Sequence, residues 1–286
     1  MKFSEINYKR PELDHTRQQI NSLLDAFSSS SATTEQIALI EKIYEARAHF
    51  ETMSNVANIR HTIDTSDPFF EKEQEYFDNS YPMYLELVSA FYNKLLSSPF
   101  RKELEAHFGK QLFEIARLTL KIFSPAIIED LQRENELTSA YTKLIAGAEI
   151  DFDGKKLNIS GMVPYKLSTD RTIRKTAHEK TDAFFKANAG ELDRIFDDLV
   201  KVRHLIAKKL GFDNFVTVGY MRMCRTDYDA HMVKGFRKAV EEKVVPLITV
   251  LKQRQAKRLG LDSLLYYDEL LDYRSGNAKP NGTPEW

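Results

Sequence analysis

The sequence predicts a mainly α-helical protein with one small β-hairpin. Apolar residues recur at three- and four-residue steps through most of the 286 residues, as they do along one face of a helix. Helix-start and helix-stop residues separate these repeats, whereas strand-like alternation appears once, around Asp153-Gly154. We expect a helical lobe over residues 1–147, and the hairpin with the start of a second helical domain over residues 148–286.

The first lobe reads as a series of helices. We expect one from Pro11 to about Ser29, and a second that begins with a capping box of Thr33 and Gln36 and reaches past Arg60. Asp67-Pro68 is a start signal for a third helix, which should continue through Pro82 with a kink. The apolar stripe of this third helix is aromatic, and at helical spacing we interpret it as core rather than as a binding surface: Phe70, Phe77, Tyr81, Tyr84, Val88, Phe91 and Leu95.

Three shorter helical patterns follow, and then the hairpin and four further segments. The short helices are expected at residues 100–107, 110–123 and 125–147. A hairpin over Ala148–Ile159 should place Ile150 opposite Leu157. Further helices are expected at residues 169–190 and 191–210, and at 229–259 with a kink at Pro246 and a stop at Gly260; residues 266–273 form a short helical or extended piece.

The helix that begins near Glu191 ends in a sharp corner. Gly211 supplies a left-handed residue after its last turn, and Asn214 can cap the next short helix. Asp197 and Lys201 form a favourable pair one turn apart. Its apolar stripe consists of Leu192, Ile195, Phe196, Leu199, Val202, Ile206 and Leu210.

Composition limits the classes of function. A net charge of −1 argues against a general nucleic-acid-binding protein. The charge is uneven, because residues 1–150 hold 16 Lys/Arg and 23 Asp/Glu, whereas the remainder holds 25 and 19. Two lobes of opposite sign facing a ligand cleft would explain this distribution, and so would two independently solvated surfaces.

The single cysteine and the absence of long apolar runs favour a cytoplasmic protein without a membrane segment. Cys224 excludes an internal disulfide and any cysteine-based metal cluster, which suits a reducing compartment. The first residues lack the apolar core of a secretory signal, and no run approaches membrane-spanning length.

The histidines do not form a zinc-binding pattern. A zinc-binding helix carries two histidines four residues apart with a glutamate after the first, and no pair here has that spacing. His178 and Asp182 come nearest, but we interpret His178 as part of a solvated helix face and His61 as a helix-end or buried hydrogen-bonding residue. Cys224 has no histidine near it in sequence. We therefore assign no catalytic, cofactor-binding or metal-binding residue in this chain.

Arg222, Arg225 and Asp227 leave two interpretations open. Closely spaced arginines can bind the carboxylate of a peptide, and they can equally form an arginine–aspartate clamp at the helix corner.

Several ordered segments carry a family resemblance. Arg203–Tyr228 includes the run Lys209-Leu210-Gly211-Phe212 and the spacing of Gly219, Tyr220, Arg222 and Arg225. With Ile59–Thr65, Ser98–Arg101, Gly109–Phe113 and Glu129–Asn135, in this order, the sequence resembles the oligoendopeptidase F and Pz-peptidase branch of the thimet-oligopeptidase-like zinc metallopeptidases.

The resemblance implies the front part of a peptidase that cleaves short peptides with a zinc-bound water and a glutamate base. It places the zinc motif beyond Trp286, and Thr283-Pro284-Glu285-Trp286 has the form of a helix entrance that the sequence leaves unfinished. We therefore expect residues 148–286 to be the start of the catalytic domain. This chain alone should bind no zinc and have no activity, and it should self-associate through its C-terminal end. The alternative is a non-catalytic helical protein that binds peptides or partners.

Overall fold

The computed structural model describes residues 2–278, so the predicted helix entrance at Thr283–Trp286 lies outside the described residues. The chain divides into two compact units, one of Met1–Lys143 with Arg194–Asp229 and one of Leu144–Asp193 with Ala230–Trp286. We call these the first and second units. The predicted domain boundary after residue 147 concerns the whole protein and stays a prediction.

The first unit is helical throughout its regular structure. After a 3-10 turn at Phe3–Glu5, its helices are α1 (Leu13–Ser29), α2 (Thr33–Ile63), α3 (Pro68–Leu96), α4 (Arg101–Phe108), α5 (Lys110–Lys121) and α6 (Ile128–Ala146), whose last turn leaves the unit. A 3-10 turn at Pro125–Ile127 precedes α6. α9 (Ala189–Lys209) enters from the second unit, and α10 (Phe215–Arg222) follows it.

The aromatic stripe of α3 is core, as predicted. Tyr84 and Phe91 are completely buried and Phe77 nearly so. Phe50 of α2 stacks on Tyr84 with ring centroids 4.4 Å apart, and it meets Phe77 edge to face at 5.6 Å. α3 also continues unbroken through Pro82, and the Asp67 carboxylate accepts hydrogen bonds from the backbone N–H groups of Phe69 and Phe70.

The capping box predicted at Thr33 and Gln36 is wrong. Ala32 is the residue before the helix and provides no side-chain cap. The Gln36 side chain is buried instead; it donates to the carbonyl oxygen of Phe27 and accepts from the Ser98 hydroxyl at 2.6 Å. The sequence signal was misleading because the Gln36 side chain bonds to α1 and to Ser98 rather than to the unpaired backbone N–H groups at the start of its own helix.

α6 and α9 enclose a smaller core of Ile127, Leu131, Leu137, Val202 and Ile206. The stripe predicted for α9 is correct at Ile195, Val202 and Ile206 but wrong at Phe196, which is 70% exposed. Adjacent apolar residues at 195 and 196 point about 100° apart, so a single narrow face buries only one of them.

The corner after α9 forms as predicted. Gly211 has φ = +83°, the Phe212 N–H reaches back to the Ala207 carbonyl at 2.9 Å, and the Gly211 N–H bonds to the Lys208 carbonyl. The Asn214 side chain caps α10 by accepting from the Val216 N–H. Asp197 and Lys201 pair at 2.6 Å.

The described part of the second unit contains the hairpin and several helical segments. β1 (Ile150–Phe152) pairs antiparallel with β2 (Lys155–Leu157) in the predicted register, with Ile150 opposite Leu157. Asp153 and Gly154 both have positive φ, as the two-residue turn requires. α7 (Val163–Lys166) and α8 (Arg171–Ala187) follow, and the apolar face of the hairpin packs with Met162 and Ala177.

The long helix expected over residues 229–259 is interrupted rather than only kinked. α11 (Ala230–Ala239) passes through a π-helical turn at Val240–Val244 into α12 (Val245–Leu259), and Pro246 lies in the first turn of α12. Gly260 ends α12 in the left-handed conformation, as predicted. Residues 266–273 form turns and loop, so the expectation of a helical or extended piece was wrong. Across the described part of the chain, no helix combines the length and the apolar character needed to span a membrane.

Candidate functional site

No grouping of three or more His, Cys, Asp or Glu side chains that suits a metal ion exists among residues 2–278. His178, the nearest sequence candidate, is half-buried rather than solvated, and its Nε2 atom is buried without a hydrogen-bond partner. The ring packs edge-on against Tyr266 at 5.7 Å. Burial and the charge of Lys166 lower the pKa of His178, and Asp182 only partly opposes them. The residues described therefore do not fit a catalytic zinc ion, which normally has three protein ligands.

Arg222 is the sequence candidate that the fold places in a defined site. Its Nη1 atom donates to both carboxylate oxygens of Glu134, at 3.0 and 2.8 Å. Arg203 donates from Nε to the same carboxylate at 2.7 Å. The clamp is therefore arginine–glutamate and joins α6, α9 and α10, which corrects the predicted arginine–aspartate clamp.

Arg225 and Asp227 do not join this cluster. The Arg225 guanidinium lies over the Tyr228 ring, 5.2 Å from its centroid. Arg225 and Asp227 are both exposed. Among the described ion pairs, Asp227 is not the partner of either arginine. The structure therefore separates Arg222 from the other two residues.

Local sequence explains how the arginines reach Glu134. Asn214 starts α10, and one face of that short helix then carries Phe215 and Arg222 seven residues apart. The Phe215 ring lies beneath both guanidinium groups, 5.6 Å from Arg203 and 5.0 Å from Arg222. This cation–π contact limits the positions that both arginines can take.

A cavity of about 360 Å³ opens beside this cluster, within the first unit. We call it the Arg222 pocket. Its lining is largely apolar with a few polar groups: Tyr81, Pro82, Leu85, Thr119, Ile122, Phe123, Leu131, Glu134, Asn135, Thr138 and Arg222. The Nη2 atom of Arg222 is buried and has no hydrogen-bond partner. Two guanidinium groups share one carboxylate here, so the cluster has one positive charge in excess and a free donor.

Glu134 was not among the residues predicted from the sequence, although the sequence contains a signal for it. Leu131 and Leu137 are buried on α6, and Glu134 lies three residues from each, on the same face. A carboxylate on an apolar stripe needs a charged partner, because an unpaired buried charge is costly. The spacing therefore indicates a buried ion pair, but it does not reveal that the partner arginines come from residues 69 and 88 positions away.

Comparison with known proteins identifies the family. A model of the peptidase M3 N-terminal domain matches residues 3–123. The solved structure of Pz peptidase A with inhibitor 2 is similar at TM-score 0.95 and 46% identity, covering 99% of this chain and 50% of that one. A protein from Bacillus anthracis str. Ames, provisionally assigned as oligoendopeptidase F, is similar at TM-score 0.94 and 44% identity, covering 100% of this chain and 53% of that one. A second provisional oligoendopeptidase F structure gives TM-score 0.95 and 45% identity, with 100% and 51% covered.

The chain therefore belongs to the M3 peptidase family and includes its N-terminal domain. Within the family it belongs with Pz peptidase and oligoendopeptidase F, as the ordered sequence segments predicted. It spans about half the length of these relatives, at 50–53%. A comparison with curated proteins gave no match.

Proposed function

We propose that this chain is the N-terminal portion of a zinc-dependent oligoendopeptidase that hydrolyses short peptides. The observation that supports this proposal is the 44–46% identity over the whole chain to structures described as Pz peptidase A and oligoendopeptidase F. Identity of this extent, with TM-scores of 0.94–0.95, favours a shared activity as well as a shared fold.

In this proposal the metal ligands lie in polypeptide outside this chain. The described residues present no set of three metal-ligating side chains, and the nearest candidate, His178, has a half-buried ring beside Lys166. The chain would contribute the helical lobe and the support for the substrate channel, and the remaining half would contribute the zinc. The cytoplasmic location and the self-association predicted from the sequence belong to the same proposal.

The test compares this chain with a product extended to the full length of its relatives. We expect the extended protein to cleave a quenched fluorescent peptide of about ten residues, and a metal chelator to abolish the cleavage. The 1–286 chain should not cleave the peptide, with or without chelator. An extended protein that is folded and zinc-loaded but inactive on such peptides would contradict the proposal.

A second candidate function, non-catalytic peptide binding, is favoured by the Arg222 pocket. The free Nη2 donor and the excess positive charge suit a carboxylate, and the apolar lining suits a hydrophobic side chain next to it. A peptide C-terminus ending in a large apolar residue combines both. The volume of about 360 Å³ limits the buried part of the ligand to one or two residues.

Binding of N-acetyl-phenylalanine, compared with binding of its amide, tests whether the Arg222 pocket recognises a carboxylate. We expect the acid to bind with a Kd of about 1 mM, as for a small ligand, and the amide to bind at least about tenfold more weakly. Arg222→Gln should abolish the difference, while Arg203 keeps Glu134 paired. Arg225→Gln removes the same charge three residues away, outside the pocket lining, and should have no effect. Equal binding of acid and amide would exclude the carboxylate site.

A further inference from the structure

The first half of α12 exposes apolar side chains in the second unit. Val244, at the end of the π-helical turn, begins this set, which we call the α12 face. Its members are 43–58% exposed: Val244, Val245, Leu247, Ile248, Val250 and Leu251. Beside it lies a groove of about 870 Å³, which runs between α12 and residues 261–269 and is also lined by Leu261 and Leu264.

The α12 face is wider than the apolar stripe of a helix that packs against one neighbouring element. At 100° per residue, its six positions cover roughly 220° of the helix circumference. A surface helix of a globular protein has an apolar stripe on one side, whereas a helix that is apolar around most of its circumference is buried. Exposed apolar surface of this extent marks an interaction site.

Within residues 2–278, the buried residues of α12 lie in its last turns, which anchor the helix in the second unit. The Gln255 amide donates to the carbonyl oxygens of Glu269 and Leu271, and Ala256 and Leu259 are buried. Arg274 bonds to the Leu259 carbonyl. The face therefore projects from a helix that is fixed at its C-terminal end and is already formed, so that a partner need not order it.

We propose that the α12 face docks a polypeptide equivalent to the second half of the M3 relatives, and that this chain binds such a polypeptide non-covalently. The relatives match this chain over 99–100% of its length at TM-scores of 0.94–0.95, yet about half of each relative has no counterpart in it. We therefore take that unmatched half, which is present in each of these relatives, as the occupant of the face. This inference rests on the proposed function for its biological meaning, but binding is measurable without activity.

Charge further defines the docked element. Residues 230–260 contain eight Lys/Arg and two Asp/Glu, so the apolar face has a basic surround. A complementary surface would present apolar side chains bordered by Asp and Glu, which would raise the rate and the specificity of association. Low salt should therefore speed association, while the apolar contact determines the affinity.

The test mixes this chain with the separately produced second half of Pz peptidase A and measures the mass of the product and the Kd. We expect a 1:1 complex. The variants Ile248→Glu and Leu251→Glu should each weaken it by about tenfold or more, because a carboxylate would be desolvated in the contact. Both positions are exposed, so the melting temperature of the unbound chain should stay the same. Ile63→Glu, at a 73% exposed position of the first unit, is the matched control and should leave the Kd unchanged.

Four outcomes would overturn the docking proposal. No complex, a complex that both glutamate variants leave intact, or equal weakening by Ile63→Glu would each show that the α12 face is not the docking site. A homodimer that Ile248→Glu dissociates would make a second copy the occupant. A 1:1 complex that follows the expected variant pattern but shows no chelator-sensitive cleavage would leave docking established and would contradict the proposed peptidase function instead.

Discussion

Arg174 and Asp268 form a completely enclosed ion pair in the second unit, with Nη2 and Oδ1 2.7 Å apart and side-chain exposures of 3% and 0%. Arg171 donates to the same carboxylate from Nε at 3.1 Å and Nη2 at 2.7 Å, and the Leu265 N–H donates at 3.1 Å. The pair connects the start of α8 to the loop that follows α12. It links a segment without regular structure to α8 through charged hydrogen bonds.

Removing the carboxylate should destabilise the second unit. Asp268→Ala leaves Arg174 buried without its counter-charge, and loss of one partner of a buried pair costs about 3–5 kcal/mol. Urea unfolding followed by circular dichroism measures this loss. Glu269→Ala is the neighbouring control; Glu269 is 56% exposed and pairs with Lys252 at 3.7 Å, so its loss should cost under about 0.5 kcal/mol. A loss below about 1 kcal/mol for Asp268→Ala would mean that the pair does not hold the loop.

The same carboxylate should make stability depend on acidic pH. Burial raises the pKa of Asp268, but the two arginines and the Leu265 N–H outweigh it and lower the pKa to about 2. Because the folded pKa lies below the unfolded value, the stabilisation is complete above about pH 4 and is lost as pH falls through about 2. It amounts to about 2 kcal/mol. The free energy of unfolding of the native protein minus that of Asp268→Asn should decrease between pH 5 and 2, and a difference that is constant over this range would contradict the assignment.

Gly211→Val should cost about 2 kcal/mol. Apart from Gly211 itself and its two chain neighbours, no residue has a heavy atom within 4 Å of the position that a Cβ would occupy. The cost therefore comes from the backbone, whose φ of +83° a β-branched residue does not readily adopt. Gly190→Val provides the control, because Gly190 also has open space around it and lies inside α9 without a positive φ. Thermal unfolding of the two variants separates strain from side-chain size. Equal melting temperatures would show that the corner tolerates a side chain.

Truncation of the aromatic core should be severe in the first unit. Phe50→Ala removes a completely buried ring that stacks on Tyr84, for which about 3–5 kcal/mol is expected. Phe196→Ala also removes a phenylalanine ring, but at a 70% exposed position of α9. The free energy of unfolding of this variant should stay within about 0.5 kcal/mol of that of the native chain. Denaturant midpoints at constant slope give both values. Similar losses in the two variants would contradict the assignment of Phe50 to the core.

Local signals in the sequence predicted the fold well, and they failed where distant residues decide. The Asp67-Pro68 start, the Gly211 corner and the Asp153-Gly154 turn each follow from the backbone preferences of the residues themselves. Gln36 could not be assigned in this way, because its partners Phe27 and Ser98 lie in other segments. For the candidate site, the sequence identified Arg222 but not Glu134, since pairing across 88 positions depends on packing.

The chain alone should retain no zinc and should not cleave peptides. A catalytic zinc ion normally uses three protein ligands, and of the two sequence candidates His178 has a half-buried ring while Asp182 is exposed, with no third ligating group placed beside them in residues 2–278. We would strip the chain with chelator, incubate it with zinc, dialyse it, and measure bound metal together with cleavage of a fluorescent peptide. The native chain and His178→Ala should both give well under one zinc per chain and no chelator-sensitive turnover. Stoichiometric zinc with turnover, both lost in His178→Ala, would establish a metal site where the donor geometry predicts none.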